Sequence, residues 1–479
     1  MATFTGSFVN NAWRRISVET ITVTNPSDGT VAGTISNCGA AEATAALSAA
    51  KSAFPSWSAL GIDGRAAHIL AWKAALLANK AKIVSLLIAE TGKVRGNAEY
   101  DFDMLINCLG YHIEEARRAC GAVIPSPDGG ALSYTTMAPV GVVVAVLTWN
   151  FPLLNLAYKI GPILASGCTC VIKQSEYTPL ATSAAIELLA GLEPAFPAGV
   201  VNLVNGTGLS TIEHLCASKI PRLLTCIGST VMGRRMIGYS ATSIKRFSLE
   251  LGGDAPVLVF ADADLDAAVD DICGLKWANG GQICVSPNRV LVHESLYDAF
   301  LTKAVAKAKT YVFGSGDAAG DNVLQPIVSA ESRDRLRGLI ADAQAKGARV
   351  LVGDDDFTAP AAGFWLAPTV IADVTAEMEM GCCEIFGPIL GVRSFTSDDE
   401  AFRVANESEY GLSGYVYTTS LKTATRAEKE IECGNICING AHYSIELPHG
   451  GLKQSGMGKD ISMYSMREYY DVKRVSIQR

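Results

Sequence analysis

Between Pro139 and Ser240 the chain repeats one rhythm four times: a short apolar run, a turn rich in glycine or polar residues, then a segment with helical spacing. The apolar runs lie at 140–148, 169–173, 200–204 and 223–227, and helices are predicted at 153–165, 180–192, 211–217 and 231–240. Strands that are apolar throughout, without alternation, must be covered on both faces. The order strand, helix, strand then leaves essentially one architecture, a doubly wound parallel sheet with helices on both sides. In such sheets ligands bind beyond the carboxyl ends of the strands. Asn150, Lys173, Glu176, Gly206 and Ser229 all fall at those ends.

The rest of the chain extends this α/β reading. After Glu250-Leu-Gly-Gly253 a second alternating series begins, with strands predicted at 257–260, 289–293, 350–352 and 389–395 and helices at 265–275, 296–308, 333–346 and 397–405. Short strands occupy the first forty residues. Helices follow at 40–52, 65–92 (closed by Gly92) and 98–119. The stretch 122–136 alternates like an exposed hairpin, and the tail 469–477 reads as a strand able to pair with it. Exposed strand edges commonly recruit another chain, so a homodimer or homotetramer is expected. A chain of 479 residues needs two or three domains. A net charge of −8 without a basic cluster excludes a phosphate-neutralising nucleic-acid binder. No apolar run approaches the ~20 residues of a membrane-spanning helix. The opening residues lack the apolar centre of an export signal, and with 13 cysteines this points to a reducing, cytoplasmic setting. Cys168 and Cys170, Cys382 and Cys383, and Cys433 and Cys437 lack zinc-site spacing with nearby histidines, so no metal site is expected.

Chemistry is concentrated in Trp277-Ala-Asn-Gly-Gly-Gln-Ile-Cys284. Gly280 and Gly281 let the backbone turn sharply and present Cys284 to a cleft, where a thiolate attacks carbonyl carbon well. The competing reading is a small buried hydrophobe, the usual fate of a free cysteine. Glu250 ends a predicted strand before a glycine turn, where a half-dry carboxylate can act as general base. Asn150, on the Trp149-Asn-Phe-Pro152 turn, can donate to a developing oxyanion. Taken singly, each is as readily structural. Together they suit thiol-mediated acyl chemistry. No strict G-x-G-x-x-G occurs. Gly206-Thr-Gly208 and Gly228-Ser-Thr-Val-Met-Gly233 are either anion sites at helix N-termini or ordinary strand-to-helix turns. Lys173 and Glu176 are either a surface salt bridge on an ordinary loop or a pair suited to a ribose, in which case the carboxylate favours NAD over NADP by repelling a 2′-phosphate.

These segments, with Pro139-Val-Gly-Val, Lys173-Gln-Ser-Glu176, Leu249-Glu-Leu-Gly-Gly253, Glu384-Ile-Phe-Gly-Pro388 and Gly450-Gly-Leu-Lys-Gln-Ser-Gly456, resemble the NAD(P)-dependent aldehyde dehydrogenases from end to end. The resemblance implies a Rossmann-like cofactor domain (1–118 and 139–250), an α/β catalytic domain (251–448) and a small β arm for oligomerisation (119–138 and 460–479). It implies a catalytic set of Cys284, Glu250, Asn150 and Lys173, with the Cys284 N–H completing an oxyanion hole. The cofactor, NAD or alternatively NADP, would be held by Leu147, Thr148, Trp149, Lys173, Ser175, Glu176, Gly206, Gly228, Ser229, Gly233, Leu251, Glu384 and Phe386. A substrate funnel would be lined by Met104, Asn150, Tyr158, Ile283, Val285, Tyr443 and His449. The chain departs from the family wording at Asp254 (usually lysine), at Trp277-Ala-Asn-Gly (commonly Phe-Phe-Asn-Gln) and at His449 (usually phenylalanine). The Pro448-His-Gly-Gly wording is similar to that of aminoaldehyde and semialdehyde dehydrogenases. Glu446 would either attract an amine or be a solvated loop charge; Arg117 and Arg118 would either meet a carboxylate or cap a helix end. An aliphatic or aromatic aldehyde is the alternative substrate, and a crystallin-like structural role the alternative outside enzymes.

Overall fold

The computed structural model describes residues 2–15, 19–127 and 129–478; residue 128, within the expected hairpin, lies outside the described residues, as do 1, 16–18 and 479. The four apolar runs become the parallel strands Val142–Val146, Thr169–Lys173, Val201–Val204 and Leu223–Ile227. A fifth, Arg246–Glu250, adds parallel to Leu223–Ile227. Antiparallel strands finish the edges: Gly456–Met457 beyond Arg246–Glu250, and Ser7–Val9 with Ala12–Arg14 beyond Val201–Val204. Asn10 and Asn11, both at positive φ (54° and 57°), make the tight turn of that last hairpin.

Both faces are filled, as the unbroken hydrophobic runs require. Val143, Ala145, Cys170, Ile172, Val201 and Leu223 enter one core. Val142, Val144, Val146, Val171, Val204 and Leu224 enter the other. Each such aliphatic side chain contributes about 1.5–3 kcal/mol. From Val142–Val146 the chain adds two strands to one side, then returns to add two on the other. The order reverses between Val142–Val146 and Leu223–Ile227, which opens a crevice at their carboxyl ends. Thr148, Trp149, Gly228 and Ser229 follow these two strands directly.

Residues 251–254 lead from Glu250 straight into a second sheet, at the strand Ala255–Val259. Its strand order is Arg349–Val352, Thr369–Ala372, Ile389–Phe395, Pro287–His293, Ala255–Val259, Ser413–Tyr417 and Asn435–Ile438, parallel except for the first. A third small sheet pairs the tail Tyr470–Gln478 antiparallel with Ala131–Pro139, from Tyr470 opposite Pro139 to Gln478 opposite Ala131, as expected of the tail. Its third strand is only Val123–Ile124. Among the described residues no helix is long and apolar enough to cross a membrane.

Several helices differ from expectation. The segment 65–92 is two helices, Ile62–Ala78 and Lys80–Thr91. They break at Asn79, whose side-chain amide donates to the Ala75 carbonyl at 2.9 Å. That local bond competes with the helical ladder. The first helix runs past 52 to Ala59, carrying Pro55 inside it. The helix begun at Leu180 ends at Glu187 and tightens into a 3₁₀ turn. Gly92 stops its helix in the left-handed region, φ 69°, as predicted.

Candidate active site

Two cavities meet at the crevice. One, of about 510 Å³, is lined by Asn150, Tyr158, Glu250, Leu251, Ile283, Cys284, Val285, Glu384, Phe386, Tyr443 and His449. The other, of about 580 Å³, is lined by Leu147, Lys173, Ser175 and Glu176. Thr148, Trp149, Gly228 and Ser229 border both. Three of the expected residues line neither. Met104 is packed into the first core. Gly206 sits where a Cβ would meet the Cys38 carbonyl at 2.6 Å, and Gly233 where one would meet Leu251 at 2.6 Å. Arg117 and Arg118 pair with Asp63, Glu114 and Glu115 on the surface, and Glu446 is exposed. A smaller cavity of about 130 Å³, beside Asp254 and Arg289, contains none of the expected residues.

The cysteine loop is built by backbone bends and amides. Asn279, Gly280 and Gly281 all take positive φ, 50°, 63° and 73°. A Cβ on Gly281 would lie 2.1 Å from the Gly387 carbonyl oxygen. Gln282 stitches the turn: Nε2 donates to the Asn279 and Pro326 carbonyls at 2.9 and 3.1 Å, and Oε1 accepts from the Val328 N–H at 2.9 Å. Asn150 Nδ2 donates to the Gln282 carbonyl at 3.0 Å, and Asn155 Nδ2 donates to Asn150 Oδ1 at 3.2 Å. The Asn150 amide is therefore fixed, with its second N–H still to give. Sequence reasoning missed Gln282 and Asn155; the signal available for Gln282 was only its adjacency to the cysteine.

Cys284 Sγ, a Glu250 carboxylate oxygen and a His449 ring nitrogen all lie within 4.8 Å of one another. Glu250 is 3% exposed; its Oε1 lies 3.4 Å from His449 Nε2 and accepts no hydrogen bond. Burial and the Glu250 carboxylate push the Cys284 thiol well above its ordinary range. The resting sulfur is a thiol, and the Glu250 carboxylate stands within 4.8 Å to take its proton. The His449 ring stands 6.0 Å from those of Tyr158 and Tyr443. Its backbone exchanges hydrogen bonds with Asp460, whose carboxylate holds Lys159 Nζ at 2.6 Å in a buried pair. The turn after Glu250 is clamped by Ser455: its Oγ donates to the Gly252 carbonyl at 2.6 Å, and its carbonyl accepts from the Leu251 N–H at 3.0 Å.

In the other cavity Ser229 caps the helix Thr230–Tyr239, its Oγ accepting from the Met232 N–H at 3.2 Å. Lys173 is 1% exposed, and burial lowers its pKa to about 8 although Glu176 works in the opposite direction. Glu384 Oε1 accepts from the Gly253 N–H at 2.9 Å; burial, with Glu250 and Asp254 nearby, raises its pKa to about 7. Phe386, at φ 54°, sets its ring edge-on to Trp149 with centroids 5.4 Å apart. Asp254, at the position that departs from the family lysine, is fully engaged by Arg289 Nε (2.8 Å), Asn288 (2.5 Å) and Ser408 (2.7 Å).

The aldehyde dehydrogenase family model matches residues 13–475. The chain is 36% identical over 464 residues to the mitochondrial succinate-semialdehyde dehydrogenase of Arabidopsis thaliana, covering 96% of this chain and 86% of that one. It is 36% identical over 475 residues to 3-sulfolactaldehyde dehydrogenase of Pseudomonas putida, covering 98% and 96%. The solved succinate-semialdehyde dehydrogenase of Burkholderia pseudomallei superposes with a TM-score of 0.95 at 34% identity, covering 99% of this chain and 98% of that one. With the doubly wound sheet, the crevice and the thiol–carboxylate–amide cluster, these likenesses show that the chain belongs to the aldehyde dehydrogenase family and is an oxidoreductase acting on an aldehyde group.

Proposed function

We propose that this protein oxidises an aldehyde to its carboxylic acid through a covalent Cys284 intermediate, with NAD or alternatively NADP as hydride acceptor. The observation that carries this reading is the meeting of Cys284, Glu250 and Asn150 in one cavity that opens onto the Lys173–Glu176 cavity. The second cavity suits a dinucleotide. A capped helix N-terminus offers N–H groups to a pyrophosphate, and a buried ammonium with a carboxylate nearby suits the hydroxyls of a ribose. Glu384 and Phe386 are assigned to the nicotinamide end. Bound cofactor supplies acceptance of the hydride that leaves the thiohemiacetal. Glu250 takes the Cys284 proton as sulfur adds to the carbonyl carbon, and the free Asn150 N–H with the Cys284 backbone N–H steadies the oxyanion. After hydride loss the carbon is a thioester. Glu250, once it has passed the thiol proton on to solvent and is again a carboxylate, activates water to release the acid. Hydrolysis fits better than transfer to coenzyme A because this carboxylate is in place.

The names of the relatives, succinate semialdehyde, glutarate semialdehyde and 3-sulfolactaldehyde dehydrogenases, support a semialdehyde; the Pro448-His-Gly-Gly wording supports an aminoaldehyde. One feature favours the alternative, an aliphatic or aromatic aldehyde: the wall around the thiol holds Tyr100, Phe151, Tyr158 and Tyr443. The cavity's only lysine or arginine is Arg335, whose guanidinium donates to the Ile385 carbonyl. We assign the cofactor to residues 1–118 and 139–250, catalysis to 251–448, and subunit contact in a dimer or tetramer to 119–138 with 460–479. The free thiols suit a reducing, cytoplasmic setting. A crystallin-like role is disfavoured by the convergence of the three reactive groups.

The test is cofactor reduction with NAD⁺ and NADP⁺ across succinate semialdehyde, an aminobutyraldehyde, hexanal and benzaldehyde. Cys284→Ser should lose turnover on the order of a thousandfold or more while still binding cofactor. Glu250→Gln, which removes the group that takes the thiol proton and later activates water, should diminish the initial burst of reduced cofactor as well as the steady state. Undiminished turnover by Cys284→Ser would overturn covalent catalysis.

A further inference from the structure

We infer that Cys284, Glu250 and His449 form a site for a thiophilic divalent cation, zinc foremost, which occupies the thiol and silences the enzyme reversibly. Sulfur, carboxylate oxygen and imidazole nitrogen are the three donor types that zinc combines. Here one atom of each lies within 4.8 Å of the others, with Glu250 Oε1 and His449 Nε2 already 3.4 Å apart. A cation bonded at about 2.0–2.3 Å to each donor, in tetrahedral array, needs donor separations of roughly 3.3–3.8 Å. The site therefore closes by about 1.5 Å at most, within the reach of side-chain rotation. Glu250 Oε1 is buried and accepts no hydrogen bond, so a donor is free and aimed into the cluster.

The supporting shell is fixed. His449 is locked by its paired backbone bonds to Asp460, and Glu250 ends a strand clamped from the far side by Ser455. Of the other acids nearby, Asp460 is already neutralised by Lys159, and Glu384, which lines the same cavity, accepts from the Gly253 N–H. Zinc binding displaces the thiol proton to solvent; thiolate and carboxylate then balance the dication, and the cavity leaves a fourth position for water. Phenylalanine at 449, the usual family residue, would remove the nitrogen donor. The site is thus a property of this chain's own departure. Sequence spacing hid it, because its donors come from positions 250, 284 and 449. The metal site stands on the three side chains alone; its effect on turnover rests on the proposed aldehyde oxidation.

The experiment uses the full-length, metal-depleted protein titrated with zinc chloride and with cobalt chloride. Expected are one tightly bound ion per chain, a sulfur-to-cobalt charge-transfer band, and protection of the Cys284 peptide from iodoacetamide, all reversed by a chelator. Reading alkylation at that peptide excludes binding at other free cysteines, such as the exposed Cys120 and Cys382. His449→Phe should weaken zinc binding at least about tenfold and abolish the protection; Cys284→Ala should lose the charge-transfer band. An unprotected Cys284, or an unchanged band and affinity in both variants, overturns the site. Zinc bound here in a protein that oxidises no aldehyde would sink the proposed function and leave the site standing. Aldehyde turnover indifferent to zinc, with Cys284 open to alkylation, would do the reverse.

Discussion

Lys173 and Glu384 carry charges that burial has moved into the working pH range. Lys173, ordinarily near 10.5, keeps its charge only below about 8. Glu384, ordinarily near 4.5, becomes a carboxylate only above about 7. If the ammonium and the carboxylate each hold ribose hydroxyls, affinity for NAD peaks between these values. It falls toward acid as Glu384 gains its proton and toward alkali as Lys173 loses one. Each limb is expected to cost about tenfold, the worth of a hydrogen bond to a charged group. Calorimetric titrations against pH check this: Lys173→Met should flatten the alkaline limb and Glu384→Gln the acid limb. At this scale the sequence was legible in placement: Cys284, Glu250 and Asn150, each near a turn-maker, do line one cavity. Met104 was not, because which face of its helix turns toward the cavity and which into the core depends on the helices packed around it.

At the scale of elements, the cysteine loop depends on one glycine more than on any side chain. Gly281 combines φ 73° with a 2.1 Å approach of its absent Cβ to the Gly387 carbonyl. Gly281→Ala should destabilise the protein by about 3 kcal/mol, since backbone strain and a collision with rigid main chain add. Gly338, exposed inside the helix Ala330–Ala345 with nothing near its Cβ position, is the contrast. Gly338→Ala should stabilise by about 0.5–1 kcal/mol. Urea unfolding of both variants measures the difference, and equal effects would contradict the steric argument. The strands were readable because runs apolar on both faces admit few alternatives. The break at Asn79 was not, because the apolar spacing runs on across it; there the backbone leaves helical values, at φ −109° and ψ 11°, while the side-chain amide bonds to the Ala75 carbonyl.

For the whole molecule, the arm is the exposed feature. Tyr470–Gln478 covers one edge of Ala131–Pro139, while Val123, Ile124, Val472 and Ile477 remain exposed on the same sheet. Deleting residues 472–479 bares that edge and removes most of its register. The expected outcome is loss of the dimer or tetramer, read by light scattering on a sizing column. An unchanged oligomer would place subunit contact elsewhere.

What the sequence alone determined was the local and the repetitive: parallel strands from uniform hydrophobicity, turns from glycine and asparagine, a thiol presented behind a glycine pair. Each is set by a few neighbouring residues and their backbone freedom. What only the tertiary structure decided was distance. The 3.4 Å between Glu250 and His449, the burial that shifts Lys173 and Glu384, and the exclusion of Met104 from the cavity all arise where segments hundreds of residues apart are pressed together. No spacing along the chain encodes those contacts; they are fixed by how two sheets pack around one crevice.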